Sequence, residues 1–319
     1  MSLNFGITVV AGYIAPRHLK AIRDVGGQVV AALDPHDAVG ILDSYFPGTR
    51  FFTEFERFDR HLEKLRRQGT EDKIQCMTVC SPNYLHDAHV RAALRIDADA
   101  VCEKPLVLNP WNLDALAELE AEYGRKVFTV LQLRLHPAIM AIRESYRRHR
   151  DKRHQVRLTY ITSRGNWYLN SWKGDENRSG GLATNIGIHF FDMLAWIFGC
   201  PRKSEVHVAS PTKTAGLLEL ENADVQWYLS IDAADLPEES LVKGQRTFRA
   251  IAIDGEDVEF SEGFTDLHTE VYRSILAGRG NGIAEARPSV ELAHQIRNAS
   301  AIGVRGDAHP LLCGAKASK

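Results

Sequence analysis

The first 130 residues alternate short apolar runs with amphipathic helical spacings, and this alternation constrains the fold more than any other feature of the chain. The runs are "NFGITVV", "QVVAAL", "KIQCMTV", "ADAVC" and "KVFTVL", separated by helical patterns at 15–25, 54–68, 84–96 and 111–124. Strands that take turns with helices are joined by crossovers, which predicts a Rossmann-type, doubly wound parallel sheet covered on both faces. From about residue 155 the texture changes. "HQVRLTYITSR", "KSEVHVAS", "AGLLELE", "DVQWYLSIDA", "TFRAIAI" and "EDVEFS" follow one another through short turns such as "IDGEDV". This predicts a large, mostly antiparallel open sheet, with one strong helix at about 187–199 and two closing helices at about 266–277 and 284–304. The fold class is α/β: a parallel-sheet domain at 1–130, then an α+β domain at 131–319, in a chain of 319 residues long enough for both.

Charge and cysteine usage narrow the function classes. Lys plus Arg (39) nearly balance Asp plus Glu (41), so the net charge of −2 offers no field for nucleic acid or an anionic membrane. The basic run "RESYRRHRDKRH" at 143–154 therefore reads as a solvated helix end. Five cysteines, Cys76, Cys80, Cys102, Cys200 and Cys313, form no CxxC pair and read as reduced thiols, mostly in the core. No run of about 18 apolar residues occurs, and "MSLNFGITVV" lacks the parts of a secretion signal, so a cytoplasmic chain without membrane insertion is expected. No metal cluster is expected either: His86 and His89 stand three apart on a helix without a third ligand nearby.

The first strand runs into "VVAGYIAPRH", where Val9, Gly12 and Ala15 stand at G-x-x-G-x-x-A spacing. A dinucleotide turn needs small residues to turn tightly, to admit a pyrophosphate and to let the helix pack, so Gly12, Tyr13 and Ile14 are candidate cofactor contacts and Val9 is the misfit. The second strand ends in Asp34, about 20 residues on, where an acid accepts from the ribose hydroxyls and repels a 2′-phosphate. Asp34 could equally cap the short helix that follows. "CSPNYLHDAHV" repeats the geometry after a later strand, placing Ser81, Pro82, Asn83 and His86 on the ligand side of a doubly wound sheet, although His86 also fits a surface helix position.

"VCEKPLVLNP" places Glu103, Lys104 and Pro105 at another strand end, and "SGGLATNIGIHFFDML" matches G-G-x-x-x-D-x-G-x-H with Gly180, Gly181, Gly187 and His189 in register and Asn185 in place of the aspartate. Together these resemble the glucose-fructose oxidoreductase / inositol dehydrogenase (Gfo/Idh/MocA) family over nearly the whole chain, including the closing stretch "GIAEARPSVELAHQI". "LTYITSRGNWYLNSWKGDENRSGGLATNIGIHFFDML", "GYIAPRHLKAI" and "SEGFTDLHTE" are similar to the family's subgroup of NAD-dependent 3-dehydrogenases for UDP-N-acetylglucosaminuronic acid (UDP-GlcNAcA) of lipopolysaccharide sugar synthesis. That subgroup carries glycine where this chain has Val9.

The resemblance implies NAD as cofactor, with Glu103 and Lys104 among its contacts and the Lys104 side chain beside the nicotinamide and the substrate hydroxyl. Alcohol oxidation needs a base and an alkoxide stabiliser at one oxygen, and His189 and Lys104 suit those roles. A UDP-sugar acid calls for cations and hydrogen-bond donors, which nominates Arg164 and Lys173, with Asn166, Tyr168 and Asn185 beside them. Gln132, Arg134 and His136 in "QLRLHP" fit either ligand contact or interdomain bonding, and Trp167, Trp172 and Trp196 read as packing. The second domain is expected to carry the interface of a homodimer or homotetramer. Two alternatives stay open: another sugar or inositol dehydrogenase of the family, and a non-catalytic NAD-binding regulator, which would need neither Lys104 nor His189. The NADH is either recycled in place by a 2-oxo acid or released.

If Asp34 meets the adenosine ribose, NADP binds more weakly than NAD, because its 2′-phosphate meets a fixed carboxylate. Equal dissociation constants for the two dinucleotides in a titration would refute that role.

Overall fold

The computed structural model of the chain describes residues 3–147, 152–258 and 266–314. Part of the basic run at 143–154, and residues 261–265 of "SEGFTDLHTE", lie outside the described residues. The chain divides into two compact units, residues 1–135 with 265–287, and residues 136–264 with 288–319. Segment 265–287, expected with the second domain, thus belongs to the first unit, where its helix Leu267–Leu276 packs on the helix Ala15–Asp24.

The first unit is built on six parallel strands: β1 (Asn4–Thr8), β2 (Gln28–Leu33), β3 (Arg50–Phe52), β4 (Cys76–Val79), β5 (Asp99–Cys102) and β6 (Val127–Thr129). Their order, β3-β2-β1-β4-β5-β6, is that of a dinucleotide fold, and it reverses between β1 and β4. Expected helices appear at Ala15–Asp24, Phe55–Gln68, His86–Arg95 and Pro110–Tyr123. β3, a three-residue strand, was not legible in the sequence because so short a run carries no period. Phe5, Ile7, Leu19, Ile22 and Val101 share one buried cluster with Val271 and Tyr272 from the returning segment. That shared core is why 265–287 belongs here: an isolated ten-residue helix is marginal in water and is held by burying its apolar face.

The second unit holds β7 (His154–Thr162), β8 (Pro201–Ala209), β9 (Lys213–Leu220), β10 (Ala223–Ser230), β11 (Thr247–Ile253) and β12 (Glu256–Val258), in the order β12-β11-β7-β10-β9-β8. All pairings are antiparallel except β7 with β10, so the sheet is mixed and mostly antiparallel, as expected. The β11–β12 hairpin turns through Asp254 and Gly255, both at positive φ (54° and 89°), the chemistry a tight two-residue hairpin loop requires. Among the described residues one helical stretch, Glu176–Phe198, interrupted at Gly180, is long and apolar enough to match a membrane span, and 72% of its most apolar window is buried, as in a core helix.

The glycines of "SGGLATNIG" have separate structural reasons. Gly180 and Gly181 adopt positive φ (80° and 72°), which ends the short helix Glu176–Ser179 and starts the next turn. Gly187 instead marks a close approach: a Cβ there would come within 2.7 Å of both Leu229 Cδ1 on β10 and Phe191 Cε2. The helix Ile188–Phe198, which carries His189 in its first turn, can lie against β10 only because residue 187 has no side chain. Gly187→Ala should push this helix off the sheet and destabilise the protein by about 1–3 kcal/mol, the usual cost of overpacking. An unchanged denaturant midpoint would contradict that close approach.

Candidate functional site

In the first unit the turn after β1 is the one the spacing predicts. Val9 adopts φ 56°, the left-handed region, and its carbonyl accepts from the Gly12 amide at 3.1 Å. A Cβ on Gly12 would stand 3.0 Å from that carbonyl and 3.3 Å from Val9 Cγ1, so a larger residue fits only if the turn gives by a few tenths of an ångström. Val9, the sequence misfit, therefore occupies the position whose backbone calls for glycine; a β-branched residue there is an outlier. Asp34 follows β2 and is buried; its Oδ2 accepts from the Ala11 amide at 2.8 Å and its Oδ1 from the His36 amide at 2.9 Å. One carboxylate thus ties the turn to the end of the neighbouring strand and to the amide two residues on, while the short helix that follows, Ile41–Tyr45, has Gly40 at its N-cap and is not capped by Asp34. Tyr13 projects from the turn, 86% exposed, and Ile14 begins the helix at its N-cap.

The other expected cofactor residues lie at the carboxyl ends of parallel strands. Ser81 and Asn83 are buried after β4, and Gln132 follows β6. The Ser81 Oγ and Gln132 Oε1 are buried atoms with no hydrogen-bond partner among the described residues, which suits a polar ligand at this edge of the sheet. Together with the Gly12 turn at the N-terminus of a helix, these groups fit a dinucleotide. His86 differs from expectation. Its ring is buried and lies within hydrogen-bond distance of two backbone carbonyls, Pro105 O at 2.6 Å from Nδ1 and Ser81 O at 2.8 Å from Nε2. It bridges the loops after β4 and β5, and burial pushes its pKa down while the two carbonyls push it up.

Glu103, at the end of β5, is 6% exposed. Its Oε1 meets His18 Nε2 at 3.0 Å and His268 Nε2 at 3.1 Å, while its Oε2 accepts from the Lys104 amide at 3.2 Å. His18 Nδ1 lies 2.9 Å from the Tyr272 hydroxyl, which lies 2.7 Å from Thr78 Oγ1 on β4. Burial alone would raise the Glu103 pKa, but the hydrogen bonds from His18 and His268 outweigh it and hold the carboxyl well below the usual range. Burial pushes the His18 pKa down, against the opposing pull of Glu103. The ligand atoms of His18, Glu103 and His268 all lie within 4.8 Å of one another, yet the separations between Glu103 and the two imidazoles are hydrogen-bond lengths and the carboxylate is already satisfied by N–H donors. Sequence reading missed this group. His18 takes the inward slot of Ala15, His18, Leu19 and Ile22, and His268 that of His268, Val271 and Tyr272; a histidine interrupting a buried stripe was the available signal.

The second unit gathers the remaining candidates. Tyr168, buried in the short helix Asn166–Asn170, receives the Asn185 amide on its hydroxyl at 2.6 Å, so the residue that departs from the family's aspartate is paired with a predicted ligand contact. Burial pushes the Tyr168 pKa up. Lys173 Nζ lies 4.4 Å from the Trp172 ring centre and 5.4 Å from that of Trp167; burial, then the Arg164 charge, lowers its pKa. Trp167 and Trp172 thus flank a cation, beyond the packing role expected of them. Arg164 and Asn166 are exposed, and His189 is half-buried beyond a π-helical turn, Ala183–Gly187.

Two family profiles match the chain: an oxidoreductase family (GFO_IDH_MocA), NAD-binding Rossmann fold, over residues 4–131, and that family's C-terminal alpha/beta domain over 153–234. A dehydrogenase of Thermus thermophilus, WlbA (WbpB), is 53% identical, with a TM-score of 0.93 over 97% of this chain and 99% of its own; it was crystallised with NAD and alpha-ketoglutarate. The same dehydrogenase, at 52% identity, was crystallised with NAD and UDP-GlcNAcA. The WlbA dehydrogenase of Bordetella pertussis shares the fold at 19% identity and a TM-score of 0.76, covering 95% of this chain and 96% of its own. Inositol 2-dehydrogenase of Rhizobium meliloti is 25% identical over 207 residues, 62% of this chain and 56% of its own. The chain spans about half the length of the curated relatives it matches.

Replacing Val9 by glycine should relieve roughly 1–2 kcal/mol of left-handed backbone cost, offset by about 0.5–1 kcal/mol for the freer unfolded chain. Thermal unfolding of Val9→Gly should therefore shift upward or hold, with NAD affinity equal or tighter. A lower melting temperature, or a marked loss of NAD affinity by calorimetry, would show that the valine side chain supports the turn.

Proposed function

The chain belongs to the Gfo/Idh/MocA oxidoreductase family, with an NAD-binding Rossmann domain, and we propose that it oxidises the 3′-hydroxyl of UDP-GlcNAcA to a 3-keto sugar. The observation that carries this reading is the match, along nearly the full length of both chains, to a dehydrogenase crystallised with NAD and UDP-GlcNAcA, combined with Lys104 and His189 at their motif positions. A cofactor-binding regulator needs neither an ammonium nor an imidazole, so their presence favours the enzyme.

Bound NAD supplies the hydride acceptor, taking two electrons and one hydrogen from the alcohol carbon. The Gly12 turn, Asp34 and the orphaned Ser81 and Gln132 oxygens hold the dinucleotide. His189 accepts the hydroxyl proton as the carbonyl forms. The Lys104 ammonium stabilises the developing alkoxide, an effect strengthened wherever water is excluded. In the second unit Arg164 and Lys173 pair with the anionic groups of the nucleotide sugar, while Tyr168, Asn185 and Asn166 hydrogen-bond it. The Tyr168 and Asn185 contact pre-orients two of these groups before any ligand arrives. The alpha-ketoglutarate complex of the Thermus enzyme supports recycling of NADH by a 2-oxo acid, which takes the hydride and a proton to become a 2-hydroxy acid. The setting we propose is cytoplasmic lipopolysaccharide sugar synthesis, by a homodimer or homotetramer joined through the open sheet of the second unit.

The deciding assay follows the NADH absorbance band after mixing the protein with NAD and UDP-GlcNAcA, alongside other UDP-hexuronic acids and inositol. His189→Asn should keep NAD and substrate binding but lose on the order of 10²–10⁴ in single-turnover rate. The wild-type rate should rise with pH through the imidazole range, and the variant should lack that limb. A His189→Asn protein with the wild-type rate and pH profile would move the base to another group, and NADH formation with inositol alone would replace the substrate.

A further inference from the structure

Among the described residues, the proposed reaction leaves without a task the group of buried polar side chains around Glu103. We propose that His18 and His268 act as a two-donor clamp on Glu103, and that the clamped carboxylate positions the Lys104 backbone; this rests on the reading of Lys104 as the alkoxide stabiliser. The three residues come from separate parts of the first unit: the helix after the dinucleotide turn, the end of β5 and the returning helix Leu267–Leu276.

A carboxylate oxygen only accepts, so both imidazoles meet Oε1 with an N–H at Nε2. His18, neutral with its proton on Nε2, leaves Nδ1 as an acceptor. The Tyr272 hydroxyl then donates to His18 and accepts from Thr78, which gives one direction to the whole run of contacts. The two rings, with centroids 5.0 Å apart and planes crossed at 84°, bring both N–H groups to the same oxygen without stacking. With Oε1 filled, Oε2 faces the Lys104 amide. This N–H belongs to the residue whose side chain does the chemistry, so the carboxylate fixes where that side chain starts.

Stability alone does not call for such a group. Burying a carboxylate costs several kcal/mol before its partners compensate, and well-packed apolar residues commonly do as well or better. What the charged group adds is direction: a donor at each oxygen fixes the carboxylate plane, and the plane fixes the amide. Placement is catalytically sensitive, since a displacement of about 1 Å at a reacting group can cost about 10²-fold in rate.

The positioning role separates from a packing role by chemistry at constant size. Glu103→Gln keeps the shape but cannot offer acceptors to both imidazoles and the Lys104 amide at once. His268→Gln keeps an N–H donor on a smaller side chain, whereas His268→Phe keeps the bulk and loses the donor. Two readouts are taken: exchange of the Lys104 amide hydrogen in the ligand-free protein, and single-turnover NADH formation with NAD and UDP-GlcNAcA. Glu103→Gln and His268→Phe should speed Lys104 amide exchange at least about tenfold and slow NADH formation about 10²-fold with NAD affinity unchanged. His268→Gln should stay within about threefold of wild type on both measures, as fits a retained hydrogen bond. Unchanged Lys104 exchange in Glu103→Gln, or a His268→Gln protein as impaired as His268→Phe, overturns the clamp. Should His268→Phe fail to fold, Glu103→Gln decides alone. If exchange behaves as stated but wild type forms no NADH, the clamp stands as a brace on Lys104 and the proposed reaction falls.

Discussion

One ionised carboxylate at the end of β5 joins residues 18, 103 and 268, and much of the first unit is organised around it. An isolated buried charge is intolerable, so Glu103 demands donors, and the fold brings them from both ends of the chain. The returning helix Leu267–Leu276 contributes His268 to the carboxylate and Tyr272 to both the polar run and the apolar cluster of β1 and the first helix. Hydrophobic burial attaches this helix, and the hydrogen bonds set its rotation, since a turn of the helix by one residue would aim His268 away from Glu103.

The parallel sheet supplies a second constraint. Strands that all run one way deliver their following loops to one edge, so Gly12, Asp34, Ser81, Glu103, Lys104 and Gln132 arrive at the same edge of the first unit from distant sequence positions. Cross-links then hold the loops in register: Asp34 ties the turn after β1 to the end of β2, and His86 ties the loop after β4 to that after β5. Two residues read as ligand contacts, His86 and Glu103, use their polar atoms on the protein itself. Their spacing is the same whether they touch a ligand or support a neighbour that does, and sequence cannot separate the two.

In the second unit the G-G-x-x-x-N-x-G-x-H run combines backbone freedom at Gly180 and Gly181 with close packing at Gly187, and both serve to deliver His189 on a helix that would otherwise stand off the sheet. Asn185, which replaces the motif's aspartate, donates to the Tyr168 hydroxyl. An uncharged amide brings a donor there without a second buried anion, which suits a site expected to receive an anionic sugar.

The sequence by itself determined the α/β class, the parallel sheet and then the mostly antiparallel one, the dinucleotide turn and the positions of Lys104 and His189. These rest on local periodicity and on motifs a few residues long, which survive without knowledge of the fold. It also flagged Val9 as the misfit, and the left-handed backbone there explains why. The tertiary structure decided that 265–287 returns to the first unit, that β7 pairs with β10 in parallel, and that His18 and His268 meet Glu103. Each of these joins residues tens to hundreds of positions apart. Such contacts are chosen by which faces can be buried together and which buried polar groups can be satisfied, and no local pattern encodes that choice.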